Sequence, residues 1–141
     1  MLNYAIIGCG RISPNHIMAA IENNLNIIAL CDLIPACMED KILKCGLPGN
    51  IKKYIDYKEM LAKEDIALVA IATESGKHAA IALDCIDKGI NVIIEKPIAL
   101  SLEDADAIIA AAERKGVQVS ACHQNRFNKS IQKIREAVEA G

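Results

Sequence analysis

The stretch NYAIIGCGRIS, residues 3–13, decides the fold class. A short apolar run, typical of a buried strand, ends at Gly8, and a predicted helix opens a few residues later. Gly8 permits a tight turn between the two elements, and Gly10 lets the backbone approach a pyrophosphate group. The first amides of the helix, which we expect to begin near Arg11, would point at that charge. A strand, a glycine turn and a helix in this order are typical of the first unit of a dinucleotide-binding fold.

The same alternation continues along the chain. The apolar runs YAIIG, NIIALCD, IALVAIAT, INVIIE and VQVSACH are separated by stretches whose apolar residues recur every three or four positions. A further strand, IKKYI, is expected at residues 51–55. Ser101 followed by Asp104 predicts a helix start, and Gly89 and Gly116 predict helix ends. We therefore expect a doubly wound, Rossmann-type α/β fold, with a parallel sheet of about six strands, right-handed crossovers and helices on both faces.

Composition limits the class of protein. The chain has 141 residues, of which 52% are hydrophobic and 3% aromatic. This describes one domain, residues 1–141, whose core of Ile, Leu, Val and Ala suits parallel strands covered by helices. The net charge of −2 gives no long-range attraction to nucleic acid or to an anionic membrane. No apolar run approaches the roughly 18 residues of a membrane span, and no leader pattern opens the chain. We expect a cytoplasmic protein without nucleic-acid or membrane partners.

The cysteines and histidines are dispersed, without a C-x-x-C pair. The cysteines are Cys9, Cys31, Cys37, Cys45, Cys85 and Cys122, and the histidines are His16, His78 and His123. Most of the cysteines lie in apolar runs, where the thiol acts as a small hydrophobic group. We therefore expect free thiols in a reducing compartment and no metal site.

An acid follows the second predicted strand, at the edge of the sheet where ligands of parallel sheets bind. Asp32 lies close to the roughly 20-residue spacing after the glycine turn at which a carboxylate accepts hydrogen bonds from the adenosine ribose. The same carboxylate would repel a 2′-phosphate, so NAD is the expected cofactor and NADP is disfavoured. Ser13 stands where the third residue of the glycine motif is usually Gly or Ala, a change that a small side chain tolerates.

The apolar run INVIIE ends in two adjacent charges, within VIIEKPIAL at residues 92–100. Placing Glu95 and Lys96 against a buried strand end costs desolvation energy unless the charges have partners or a task. A lysine ammonium beside a reacting carbon–oxygen bond can donate a hydrogen bond to a developing alkoxide, or relay a proton. The alternative is a surface Glu-Lys pair before a proline turn. We also expect a cis bond before Pro97, which would aim Lys96 across the strand ends.

Taken in order, the segments GCGRIS, CD, ATESGKH, EKPIALSLEDA and CHQNRFN resemble the glucose-fructose oxidoreductase, inositol 2-dehydrogenase and MocA (Gfo/Idh/MocA) family. The resemblance covers essentially the whole chain, as the N-terminal dinucleotide domain of the family. It implies an oxidoreductase that transfers a hydride between nicotinamide and a hydroxyl carbon of a sugar, a polyol or a nucleotide-linked sugar. It also implies that Lys96 is catalytic and points at the substrate carbinol and the nicotinamide, while Glu95 helps to hold the cofactor ribose.

Further cofactor contacts are implied at the other strand ends. Thr73 and His78 carry over from the segment ATESGKH, whereas Ser75 is left open because family members often have Thr-Pro-Asn where this chain has Thr-Glu-Ser. Gln124 and Arg126 offer an amide for the carboxamide or substrate and a guanidinium for polar substrate groups, although both could instead be loop residues that cap the last helix. The expected cofactor contacts are Gly8, Gly10, Arg11, Ile12, Asp32, Thr73, His78, Glu95, Lys96, Gln124 and Arg126.

The resemblance also implies a second domain. Complete members of the family carry a further α/β domain, which normally supplies an aspartate and a histidine to the catalytic set and forms most of the sugar pocket. Residues 1–141 contain no second pattern of strands, so we expect a cofactor domain that is nearly inert without its substrate domain and is homo-oligomeric when full-length.

Two other functions stay open. A methyltransferase shares the glycine turn and the acid after the second strand, but it gives the Glu-Lys-Pro segment no role. Binding of adenosylmethionine without binding of NAD would identify it. A non-catalytic module that senses NAD(H) would keep the glycine turn and Asp32 without using Lys96, and its cofactor response would be normal after Lys96→Ala.

Overall fold

Six strands form the centre of the computed structural model, which describes residues 1–141. They are β1 (Asn3–Ile7), β2 (Asn26–Cys31), β3 (Lys52–Tyr54), β4 (Leu68–Ile71), β5 (Asn91–Ile94) and β6 (Val119–Ala121). Every neighbouring pair is parallel, and the strand order is β3-β2-β1-β4-β5-β6. The chain therefore builds one half of the sheet outward from β1 and then the other half from β4. The predicted parallel sheet of about six strands is confirmed.

Helices follow the strands in the predicted alternation. They are α1 (Ser13–Glu22), α2 (Pro35–Lys44), α3 (Tyr57–Lys63), α4 (His78–Asp87), α5 (Leu102–Lys115) and α6 (Lys129–Ala140), with 3-10 turns at Ser75–Lys77 and Gln124–Phe127. The Ser101 hydroxyl accepts a hydrogen bond from the Asp104 amide at 3.1 Å and starts α5. Gly89 and Gly116 take the left-handed φ values of 78° and 68° that end α4 and α5. The helix ends predicted from these residues are confirmed.

The sheet is covered on both faces. Along β1, Ala5 and Ile7 pack into the cluster formed with α3, α4 and α5, whereas Tyr4 and Ile6 pack into the cluster formed with α1 and α2. This alternation follows because successive strand residues point to opposite faces of a sheet. Both clusters consist almost entirely of aliphatic side chains, as the composition predicts.

All six cysteines are free, as expected. Cys9, Cys31 and Cys85 are buried, and burial raises the pKa of each of these thiols to about 12. They therefore stay protonated at neutral pH and serve as small apolar groups of the core.

The last helix, α6, makes little contact with the rest of the domain, since all of its residues are exposed. Its apolar side chains Ile131, Ile134 and Val138 are 42%, 60% and 75% exposed. None of the helices combines the length and the apolar character that crossing a bilayer requires.

Candidate active site and cofactor cleft

The turn after β1 requires glycine at its first position. Gly8 has a φ of +96°, and a Cβ added there would lie 2.6 Å from the backbone of Ala72. A Cβ at Gly10 would meet no protein atom within 4 Å, because that position faces an open cleft. Ser13 is buried, and its hydroxyl donates a hydrogen bond to the Gly10 carbonyl oxygen at 2.8 Å. Ser13 occupies the third position of the glycine motif, where Gly or Ala is usual, and its hydroxyl closes the turn.

Asp32 links the end of β2 to this turn. Its Oδ2 accepts a hydrogen bond from the Cys9 amide at 2.7 Å, and its Oδ1 accepts one from the Ile34 amide at 2.8 Å. Each carboxylate oxygen keeps a second lone pair for a further donor. Since Asp32 is half-buried at the wall of the cleft, those lone pairs are available to a ligand.

A cleft of about 550 Å³ opens at the carboxyl ends of β1, β2 and β4. Of the expected cofactor contacts, it is lined by Gly8, Gly10, Asp32 and Thr73. Apolar side chains that are 78%, 59% and 56% exposed also line it, and these are Leu33, Ile34 and Ile55. The cleft lies where the strand order reverses between β1 and β4, the place where open parallel sheets bind dinucleotides.

The two charges after β5 occupy different environments. Glu95 is only 8% exposed, and its Oε1 lies 3.0 Å from Nε2 of His16 on α1. Lys96 is exposed, and its ammonium takes part in none of the ion pairs of the fold. The Lys96–Pro97 bond is cis, as expected. Glu95 and Lys96 therefore do not form a surface ion pair: the acid has a buried partner and the base is free.

Cys122 joins the buried pair from the segment after β6. Ligand atoms of His16, Glu95 and Cys122 all lie within 4.8 Å of one another. Burial and the nearby charge of Glu95 raise the pKa of the Cys122 thiol above its ordinary value. The thiol is therefore protonated at neutral pH and lies beside the carboxylate.

The sequence patterns did not indicate His16 and Cys122 as neighbours of Glu95. His16 and Glu95 are 79 residues apart, so no local motif joins them. One signal was present in α1, where the buried residues Ser13, His16, Ile17 and Ala20 follow the three-and-four spacing of a core-facing helix stripe. A histidine on such a stripe needs a buried polar partner.

His78 joins two loops of the site. The ring is 1% exposed, with Nδ1 at 2.7 Å from the Pro97 carbonyl oxygen and Nε2 at 3.1 Å from the Thr73 carbonyl oxygen. Both ring nitrogens therefore face backbone carbonyl oxygens. His78, which was expected as a cofactor contact, lies between the loop that carries Thr73 and the loop that carries Lys96, and its contact with a cofactor stays a prediction. Ser75 lies half-buried in the adjacent 3-10 turn, outside the lining of the cleft.

The other expected contacts lie at the margin of the site. Arg11 is exposed and Ile12 is half-buried just before α1, and neither lines the cleft. Gln124 and Arg126 are exposed in the 3-10 turn after β6. Arg126 lines a separate concavity of about 580 Å³ between β6 and α6, whereas Gln124 lines neither. The domain alone thus brings together the glycine turn, Asp32 and Thr73, but not these four residues.

Residues 2–123 match the family model described as an oxidoreductase family with an NAD-binding Rossmann fold, GFO_IDH_MocA. The chain belongs to this family. It is an NAD-binding Rossmann domain, and the resemblance inferred from the sequence is confirmed.

Several relatives are named as dehydrogenases. D-apiose dehydrogenase of Paraburkholderia graminis is 34% identical over 139 residues, which are 97% of this chain and 36% of the relative. The rhizopine catabolism protein MocA of Rhizobium meliloti is 30% identical over 96% of this chain and 42% of its own length. The WlbA dehydrogenase of Bordetella pertussis, solved with NADH and UDP-GlcNAcA, is 30% identical with a TM-score of 0.88, over 99% of this chain and 42% of the solved chain. The chain thus spans roughly two-fifths of these relatives.

Proposed function

We propose that this domain binds NAD(H) in the cleft at the carboxyl ends of β1, β2 and β4, as the cofactor half of a dehydrogenase. The observation that carries the proposal is the position of Asp32, which lines the cleft while its Oδ2 closes the glycine turn at 2.7 Å from the Cys9 amide. This arrangement places a carboxylate and the glycine turn that precedes α1 at one opening. A ribose diol and a pyrophosphate need those two groups.

The residues of the cleft fit the cofactor part by part. The open space at Gly10 leaves room for a pyrophosphate beside the first amides of α1. The remaining lone pairs of Asp32 accept hydrogen bonds from ribose hydroxyls and disfavour the 2′-phosphate of NADP. The exposed apolar side chains of Leu33, Ile34 and Ile55 provide a surface for the adenine ring.

When bound, NAD⁺ would accept the hydride or NADH would donate it. Lys96 would transfer the proton. The unpaired ammonium of Lys96 can donate a hydrogen bond to the oxygen of the reacting carbon and relay its proton. Glu95, buried beside it, would help to hold the cofactor ribose. Gln124 and Arg126 would reach the nicotinamide or the substrate only after the segment that follows β6 closes over the site. Thr73 would contact the cofactor from the end of β4.

The substrate is proposed to be a sugar, a polyol or a nucleotide-linked sugar. The names of the relatives support this class, because they include D-apiose dehydrogenase and a dehydrogenase solved with UDP-GlcNAcA. We propose that a second domain, outside these 141 residues, completes the catalytic set and the pocket, and that the complete enzyme is a cytoplasmic homo-oligomer. A net charge of −2 supports the absence of a nucleic-acid partner.

Titration of the 141-residue chain with NADH, followed by nicotinamide fluorescence, tests the cofactor assignment. We expect saturable binding of NADH, weaker binding of NADPH and no binding of adenosylmethionine. A chain that binds adenosylmethionine and leaves NADH unbound would instead have the cofactor preference of a methyltransferase. Heat-unfolded protein at the same concentration is the matched control for non-specific fluorescence.

A further inference from the structure

Glu95 is a buried carboxylate that two side chains hold from opposite ends of the sequence. His16 approaches its Oε1 from α1 at 3.0 Å, and the Cys122 thiol lies within 4.8 Å of the carboxylate, in the segment after β6. Oε2 accepts a hydrogen bond from the Lys96 amide at 3.3 Å. Because a buried carboxylate needs hydrogen-bond partners, these contacts fix its orientation.

Hydrogen bonds account for this cluster better than a metal ion does. Imidazole, carboxylate and thiolate are all ligands of Zn²⁺, so the three residue types would also suit a metal. However, ligand atoms of a tetrahedral Zn²⁺ with bonds of about 2.0 Å stand about 3.3 Å apart. His16 Nε2 and Glu95 Oε1 are 3.0 Å apart, which is a hydrogen-bond distance. No buried side-chain nitrogen or oxygen of the fold lacks a hydrogen-bond partner.

We propose that His16 is a positioning residue of the cofactor site, acting through Glu95, and that Cys122 supports it. This inference rests on the proposed function, in which Glu95 holds the cofactor ribose. His16 Nε2 carries the ring proton, since its partner is a carboxylate acceptor. The bond from His16 leaves Oε2 to face the Lys96 amide, so the same contact sets the direction in which the chain leaves β5 toward Lys96.

The first test compares NADH affinity and thermal unfolding for three forms of the 141-residue chain. His16→Leu removes the donor, and His16→Gln restores an amide donor close to the position of Nε2. We expect about tenfold weaker NADH binding for His16→Leu and affinity within about threefold of the unchanged protein for His16→Gln. Met18→Leu, an exposed change on the same helix, is the matched control and should leave affinity unchanged. His16→Asn, whose amide is too short to reach Glu95, replaces His16→Leu if that variant does not fold.

A double-mutant cycle decides whether His16 acts through Glu95. If it does, His16→Leu weakens NADH binding in the unchanged protein but has no further effect in a Glu95→Ala background. An equal loss in both backgrounds, or no loss in either, overturns the proposal. A chain that does not bind NADH at all would instead overturn the proposed function, so the two failures are distinguishable.

The last measurements test the role of Cys122 and the binding of a metal ion. Cys122→Ser keeps a donor and should retain affinity, whereas Cys122→Ala should weaken NADH binding by about two- to threefold. All titrations are run in EDTA and repeated with added Zn²⁺. A change in NADH affinity on addition of Zn²⁺ that disappears in Cys122→Ala would show a metal site and overturn the hydrogen-bonded arrangement.

Discussion

The Asp32 carboxylate accepts a hydrogen bond from the Cys9 amide at 2.7 Å, so the acid that ends β2 also closes the glycine turn that ends β1. The same carboxylate accepts from the Ile34 amide at 2.8 Å. The residue that is expected to recognise the ribose is thus held rigidly by the backbone that is expected to surround the pyrophosphate. Replacing Asp32 therefore changes both selectivity and the shape of the turn.

Asp32→Ala should narrow the preference for NADH over NADPH. The change removes an acceptor for the ribose hydroxyls, which weakens NADH binding, and it removes the charge that repels a 2′-phosphate. Calorimetry with both cofactors measures the two affinities. Asp32→Asn keeps one oxygen for the turn and separates loss of charge from loss of turn geometry. An unchanged protein that binds the two cofactors equally, or prefers NADPH, would contradict the assignment of Asp32.

Gly8→Ala should lower the stability of the domain, whereas Gly10→Ala should lower its affinity for NADH. At Gly8 the added Cβ would approach the Ala72 backbone to 2.6 Å in a left-handed conformation, so we expect a loss of about 2 kcal/mol or more in the free energy of unfolding. At Gly10 the Cβ meets no protein atom and projects into the cleft. The free energy of unfolding of Gly10→Ala should therefore stay within about 0.5 kcal/mol of that of the unchanged protein.

The readout for this pair is thermal unfolding together with NADH titration. Gly10→Ala should lose NADH affinity while its unfolding midpoint stays nearly unchanged, because the Cβ occupies space that the cofactor needs. Gly49→Ala, where a Cβ also meets no protein atom but lies away from the cleft, is the matched control. Full NADH affinity in Gly10→Ala would show that the pyrophosphate does not bind in this part of the cleft.

Local patterns were enough to predict the sheet and the helix ends, because each depends on a few adjacent residues. The apolar runs, the glycine turn at Gly8 and the cap at Ser101 determine local backbone geometry whatever the rest of the chain does. The partners of Glu95 and His78 could not be predicted in this way. The bond from His16 to Glu95 spans 79 residues, and the bond from His78 to Pro97 depends on how the loop after β5 folds back over α4.

The role of the segment after β6 could not be predicted from the sequence for a different reason. The pattern CHQNRFN suggests a cofactor contact, yet Gln124 is exposed and lines neither the cofactor cleft nor the concavity between β6 and α6. Under the proposed function, the role of Gln124 would depend on contacts with a second domain, which residues 1–141 do not include. If this segment acts between two domains, as proposed, its contacts cannot be inferred from the packing of one domain.

Glu64→Gln should lower stability near neutral pH and have little effect in acid. The hydrogen bond from Lys52, at 2.8 Å, and that from the Tyr54 hydroxyl hold the pKa of Glu64 below its ordinary value. Because the folded pKa is the lower one, the stabilisation is present above the ordinary glutamate pKa of about 4.3 and is lost as pH falls through the folded value. Thermal unfolding at pH 7 and near pH 3 measures this difference.

The control for this prediction is Glu59→Gln. Glu59 pairs with Lys63 on the exposed surface of α3, where an ion pair contributes little. Its unfolding midpoint should match the unchanged protein at both pH values. A Glu64→Gln deficit that is as large near pH 3 as at pH 7 would show that packing, and not the ionised carboxylate, is responsible.

Lys96→Ala should separate cofactor binding from catalysis in an enzyme that joins these residues to a substrate domain. The ammonium has no ion pair in the fold and stands at the end of β5, so its removal breaks no ion pair. We expect NAD affinity to stay within a few-fold and turnover to fall by roughly a hundredfold or more, as for loss of a positioned acid-base group. Lys88→Ala, an exposed lysine after α4, is the matched control and should leave both unchanged.

Steady-state and binding measurements on the same preparations decide the role of Lys96. If Lys96 were only structural, its removal would cost about 1 kcal/mol of stability or less and leave turnover intact, as exposed substitutions usually do. Intact turnover would therefore remove Lys96 from the mechanism and favour a module that only senses NAD(H). The 141-residue chain alone should bind NADH without oxidising sugars even with Lys96 present, because the proposed second domain supplies the rest of the pocket. Sugar oxidation by this chain would show that Lys96 and the cofactor cleft suffice without that domain.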